Sequence, residues 1–159
     1  MVLLFAGYIY IEKFSYANDA LFFFIGWPDE LGKPIFKEFV DFTKEGYTKE
    51  ITASIKYPHR YEFEIYDENK KINKSFKYSG VVKVEFLKRN VIKSTVISED
   101  SYGGSYSFGG DYYESVVIAE SPINLRGEVK IRITVVKADP KIKELGSKIF
   151  LTMDGAPTN

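Results

Sequence analysis

Residues 99–114 read Glu-Asp-Ser-Tyr-Gly-Gly-Ser-Tyr-Ser-Phe-Gly-Gly-Asp-Tyr-Tyr-Glu. Four glycines in so short a stretch give the backbone conformations that bulkier residues resist. Tyr102, Tyr106, Phe108, Tyr112 and Tyr113 bring aromatic area on few rotatable bonds. Tyrosine, serine and glycine together make an adaptable contact surface. Aromatic faces also stack on sugar rings, and Asp100 and Asp111 are placed to accept hydrogen bonds from hydroxyls. The candidate binding residues are therefore Tyr102, Tyr106, Phe108, Asp111 and Tyr112. On this reading residues 101–110 form a loop that joins two strands and projects from one end of the domain. The plainer alternative is a hairpin whose rings pack on its own strands. The carboxylates Glu99, Asp100, Asp111 and Glu114 raise two further chemistries. They supply the oxygens that calcium prefers, though without EF-hand spacing. They also offer the two carboxyl groups that glycoside hydrolysis needs, at a separation that sequence does not show.

Elsewhere the residues exclude more chemistry than they supply. His59, between Pro58 and Arg60, is the single histidine, so a Ser-His-Asp triad would have to use it. No Gly-x-Ser-x-Gly elbow accompanies it, and an exposed loop histidine is the expectation. One histidine and no cysteine offer fewer nitrogen and sulfur ligands than zinc sites take, and no metal or cofactor is expected. The absence of cysteine also removes disulfides and thiol catalysis. Gly103-Gly104 and Gly109-Gly110 are followed by no lysine and match no phosphate loop. Asn73-Lys74-Ser75 fits a glycosylation sequon, a match short enough to arise by chance. Lys70, Lys71 and Lys74 lie beside Asp67 and Glu68, which makes a solvated loop of them rather than an anion site.

The elements that would carry these residues are strands. Val129, Ile131, Ile133 and Val135 alternate with Lys130, Arg132 and Thr134, which gives one apolar and one wet face. Ile51, Ala53 and Ile55 alternate with Thr52, Ser54 and Lys56, after a turn at Lys44-Glu45-Gly46. Tyr61, Phe63 and Ile65 alternate with Glu62, Glu64 and Tyr66. Residues 81–88 and 91–98 are two strands joined tightly at Arg89-Asn90, without the glycine most such turns prefer. Residues 20–27, 112–120 and 149–153 are also expected as strands. Residues 35–43 fit a helix or a strand, with strand favoured because the next segments along the chain are strands. Asp139-Pro140 is expected to open a short helical turn that runs to Leu145 and stops at Gly146. Thirteen phenylalanines and twelve tyrosines suit half-buried sheet surfaces. Seven to nine short strands with turn signals between them predict an all-β fold, a single antiparallel β-sandwich, immunoglobulin-like or jelly-roll-like. With 22 basic and 22 acidic residues the formal charge is zero, against the basic excess of a nucleic-acid binder.

The chain opens with eleven uncharged residues, Met1 to Ile11, then Glu12-Lys13-Phe14 and Ser15-Tyr16-Ala17. The order resembles the apolar region and small-x-small cleavage site of a secretory signal, without a basic region before it. Eleven helical residues reach about 16 Å, roughly half a bilayer core, so the run does not span a membrane by itself. A buried first strand or helix is the plain rival. The expectation is an export or anchor segment at 1–17 and one β-sandwich domain at 18–159.

The succession Phe42 … Gly46 … Ile51 … Ile55 … Tyr61-Glu62-Phe63, ending in Gly127-Glu128-Val129-Lys130-Ile131 … Val135 and Ile149-Phe150-Leu151, resembles small exported bacterial β-sandwich domains of unknown function. Many of these are lipoproteins, and the lipid-bearing cysteine that marks them is missing here. The resemblance implies export and a sandwich, over about residues 36–153, and carries over no functional residue. The resulting expectation is a non-catalytic binding module of the bacterial cell envelope, periplasmic or membrane-tethered, whose partner is an envelope protein or a glycan. An immunity-type protein is one concrete form. The alternative is a glycan-acting enzyme or glycan-binding module that uses residues 99–114.

Overall fold

The computed structural model describes residues 34–56, 60–67, 76–98, 102–108, 111–122, 125–142 and 149–155. The expected apolar segment at 1–17 and strand at 20–27 lie outside these residues, as does the helical turn beyond Ile142. The fold is all-β. The strands of the described residues are β1 (Phe36–Phe39), β2 (Thr48–Ile55), β3 (Tyr61–Asp67), β4 (Val81–Lys88), β5 (Val91–Ile97), β6 (Tyr102–Phe108), β7 (Asp111–Glu120), β8 (Gly127–Lys137) and β9 (Ile149–Gly155). They form two antiparallel sheets, ordered β1-β9-β3-β7-β6 and β2-β8-β4-β5.

Period-two alternation decides which residues meet between the sheets. Val82, Val84 and Phe86 of β4 and Val129, Ile131, Ile133 and Val135 of β8 are buried. So are Ile51, Ala53 and Ile55 of β2. From the other sheet come Tyr61, Phe63 and Ile65 of β3, Val116 and Ile118 of β7, and Met153 of β9. All belong to one hydrophobic cluster. Phe63 and Phe86 join the two sheets ring to ring, edge on, with centroids 5.9 Å apart.

Local chemistry fixes the joints. Residues 35–43 resolve into the short strand β1 followed by a turn. In that turn the Asp41 Oδ1 accepts hydrogen bonds from the Thr43 amide at 3.1 Å and hydroxyl at 2.6 Å. Gly46 takes φ 78°, which favours glycine, and its amide reaches the Val135 carbonyl at 2.8 Å. Arg89 and Asn90 form the two-residue link between β4 and β5 at φ 53° and 61°. Both are left-handed, as a type I′ hairpin turn requires. Two serine hydroxyls extend the ladders past the strand ends. Ser121 Oγ accepts from the Tyr61 amide at 2.9 Å, and Ser98 Oγ from the Val82 amide at 2.8 Å. Asp139 caps its own turn. Its carboxylate accepts from the amides of Ser79 at 2.8 Å and Lys141 at 2.9 Å.

Candidate functional site

The glycine- and tyrosine-rich segment is not the projecting loop that its composition predicts. Residues 102–108 are strand β6, the margin of the five-stranded sheet, and residues 111–120 are strand β7. The two pair antiparallel along the whole of β6, with Tyr102 opposite Val117, Tyr106 opposite Tyr113, Ser107 opposite Tyr112, and Phe108 opposite Asp111. Gly103 and Gly104 stand opposite Val116 and Ser115, both buried. Glycine is a poor strand former by itself, so a continuous ladder to the valine-rich β7 is what holds these residues extended. The connection is correspondingly short, at Gly109-Gly110, which lie outside the described residues.

The hairpin therefore gathers Tyr102, Tyr106 and Phe108 on one strand and Asp111 and Tyr112 on the next. Among the described residues β6 has β7 as its only ladder neighbour. An edge strand of this kind offers a row of backbone donors and acceptors to an added strand. Glu99 and Asp100 lie outside the described residues, and so do His59, the sequon at 73–75 and the lysines at 70, 71 and 74. Among the described residues no three histidine, cysteine or acidic side chains stand close enough to hold a metal ion.

A second polar constellation lies on the outer face of the four-stranded sheet. Sequence identified Lys130 and Arg132 as part of a wet face, but neither Lys83 nor the acidic partners. In register across β2, β8 and β4 stand Glu50, Arg132 and Glu85. The Arg132 guanidinium donates from Nε to Glu50 Oε1 at 2.9 Å and lies 3.7 Å from Glu85 Oε2 through Nη1. Lys130 Nζ approaches Glu50 Oε2 at 3.4 Å, and Lys83 Nζ approaches Glu85 Oε1 at 3.2 Å. The Arg132 hydrogen bond, with help from Lys130 and against partial desolvation, holds the Glu50 carboxyl below its ordinary value. Every charge in this row has an opposite neighbour, which suits a cross-strand ladder and leaves no poised acid or base.

Tyr78 and Glu64 are polar groups buried away from this row. Tyr78 is pushed up from the ordinary phenol range by burial and then by the Asp139 carboxylate, so it stays protonated at neutral pH. Its ring meets Phe42 edge on at 5.9 Å. Glu64 is buried, although strict alternation along β3 marks it for solvent together with Glu62. Val117 and Ser115, opposite Glu64 and Tyr66 in register, are buried as well.

No helix among the described residues is long and apolar enough to cross a membrane. No family model matches the sequence, and no curated protein matches it. The fold is similar to the crystal structure of GEBA250068378 from Sulfurospirillum deleyianum. The TM-score is 0.55 at 13% identity, over 79% of this chain and 99% of that one. At this identity the likeness speaks for the fold alone.

Proposed function

We propose that the chain is an exported or membrane-tethered β-sandwich binding module of the bacterial cell envelope. It recognises an envelope protein or a glycan through the β6–β7 hairpin and does so without catalysis. The observation that carries this reading is the place of β6, where the segment richest in tyrosine, serine and glycine forms the margin of a sheet. Two antiparallel sheets sharing one cluster support the sandwich, in an immunoglobulin-like or jelly-roll-like arrangement. The apolar opening supports export. An immunity-type protein that blocks an incoming toxin is one concrete form of this role.

Aromatic anchors dominate contact energies, so Tyr106 and Phe108 are the residues to remove. A pull-down from envelope extract and a glycan array separate the two partner classes. With the partner in hand, Tyr106→Ala with Phe108→Ala is expected to weaken binding at least about tenfold, since an anchor is worth roughly 2 kcal/mol or more. The melting temperature should stay close to that of wild type. Unchanged affinity in the double variant would remove the hairpin from the binding surface.

A further inference from the structure

The β4–β5 hairpin ends in six consecutive exposed residues, Lys88-Arg89-Asn90-Val91-Ile92-Lys93. Val91 is 55% and Ile92 48% exposed. They are neighbours on one strand, so they point to opposite faces of the hairpin. Exposure of both means that the tip stands clear of the body on its two sides. Lys88, Arg89 and Lys93 surround them, and none of the three makes an ion pair with another described residue. From Phe86 to Ile97 the sequence contains no acidic residue, in a chain whose total charge is zero. The adjoining strands bring Glu128 and Lys130 of β8 to the same end of the sheet, with Lys56 just beyond β2, so the surroundings do not reverse the sign.

We propose that this tip inserts into an anionic lipid surface. Two apolar side chains ringed by cations match the layering of such a surface. Aliphatic groups sit at the acyl boundary, while lysine and arginine keep their charge at the level of the phosphates. The shape favours a membrane over a protein. A stable protein interface engages about 20–30 residues a side, and the tip offers six. A narrow end with apolar groups on both faces enters a deformable medium, not a flat docking surface. The turn chemistry points the same way. Asn90 is at home in the left-handed region, whereas Arg89 at φ 53° sits where glycine or asparagine is easier, so the apex holds a cation at some conformational cost. The proposal stands on the β4–β5 tip and does not depend on the role of β6.

The test uses the full chain with phosphatidylcholine vesicles, with and without phosphatidylglycerol, and reads partitioning by co-sedimentation. The two vesicles present the same acyl interior, so the difference between them reads the part of binding that depends on headgroup charge. Wild type is expected to favour the anionic vesicles. Lys88→Gln, Arg89→Asn and Lys93→Gln together should remove that preference, at about fivefold per cation. Val91→Thr with Ile92→Thr should lower binding to the anionic vesicles while leaving the denaturation midpoint in place. Tyr106→Ala with Phe108→Ala should change neither. Equal binding to both lipids overturns the proposal. So does loss of preference in the charge variant with no effect of the two threonines, which would make the contact electrostatic adsorption at the headgroups without insertion.

Discussion

At Gly80 there is no room for a side chain. A Cβ added there would run into the end of the Tyr78 phenol ring and lie 2.7 Å from the Lys137 carbonyl oxygen. The ring itself is held by the Phe42 edge contact and by burial, and the Lys137 carbonyl belongs to the end of β8. Neither neighbour is the free end of a flexible chain. Gly80→Ala is therefore expected to cost about 1–3 kcal/mol, the range for forced overpacking. Urea denaturation measures it. Combining it with Tyr78→Ala should cost less than the sum of the two single changes, because the second removes the obstacle the first meets. Strict additivity would mean that the clash is not what makes this position a glycine. Nothing in the sequence marks Gly80 apart from the other glycines. The need for it arises from Tyr78 folding back over a residue two places along, a packing event that no local pattern encodes.

At the scale of elements, β8 is the strand most fully legible in the sequence. Its alternation appears in the structure with Ile131, Ile133 and Val135 buried, and Lys130, Arg132 and Thr134 half-buried on the outer face. Ile133→Ala is expected to cost about 2–5 kcal/mol, the transfer term plus a cavity. Lys130→Ala should cost within about 1 kcal/mol, since it loses one half-exposed ion pair. Comparable denaturation midpoints for the two variants would show the faces reversed. The β4–β5 hairpin is equally legible, because two apolar runs two residues apart leave room for little but a tight turn. Strand β6 is not. Its glycines and serines carry weak strand preference, and its extension comes from pairing with β7, which residues 102–108 do not announce. The same limit hides the burial of Glu64. Period two sends it away from the inter-sheet cluster, and burial on the outer face depends on what lies over that face.

At the scale of the molecule, the charged row ties three strands of one sheet across their outer face, and its response to pH depends on Glu50. That carboxyl is held below the ordinary glutamate value of 4.5, chiefly by the hydrogen bond from Arg132. A depressed carboxyl stabilises the folded chain above its unfolded value, and that contribution fades as the pH falls through the folded one. Wild type is therefore expected to exceed Glu50→Gln in stability at neutral pH. The two should converge as the pH drops below 4.5, with added salt narrowing the neutral-pH gap. Denaturation curves across the acid range check this, and a gap that persists into acid would show that Glu50 acts by something other than its charge. The candidate binding residues are legible as a composition and not as a place. Sequence singles out the stretch, while its position at a sheet margin requires the strand order, which depends on contacts between residues far apart in the chain.

That strand order governs when the chain can fold. β9, at residues 149–155, lies between β1 and β3 and bonds to both, so that Phe36 pairs with Met153 and Tyr61 with Gly155. The other sheet likewise seats β8 between β2 and β4. A chain emerging from the ribosome can form the β4–β5 and β6–β7 hairpins early, since these pair neighbours in sequence. It cannot complete the five-stranded sheet until β9 has been released. Contacts of such long sequence separation make folding slow and leave the growing chain open. The molecule is thus built to become compact only once residues 149–155 can join β1 and β3, whatever has formed before them.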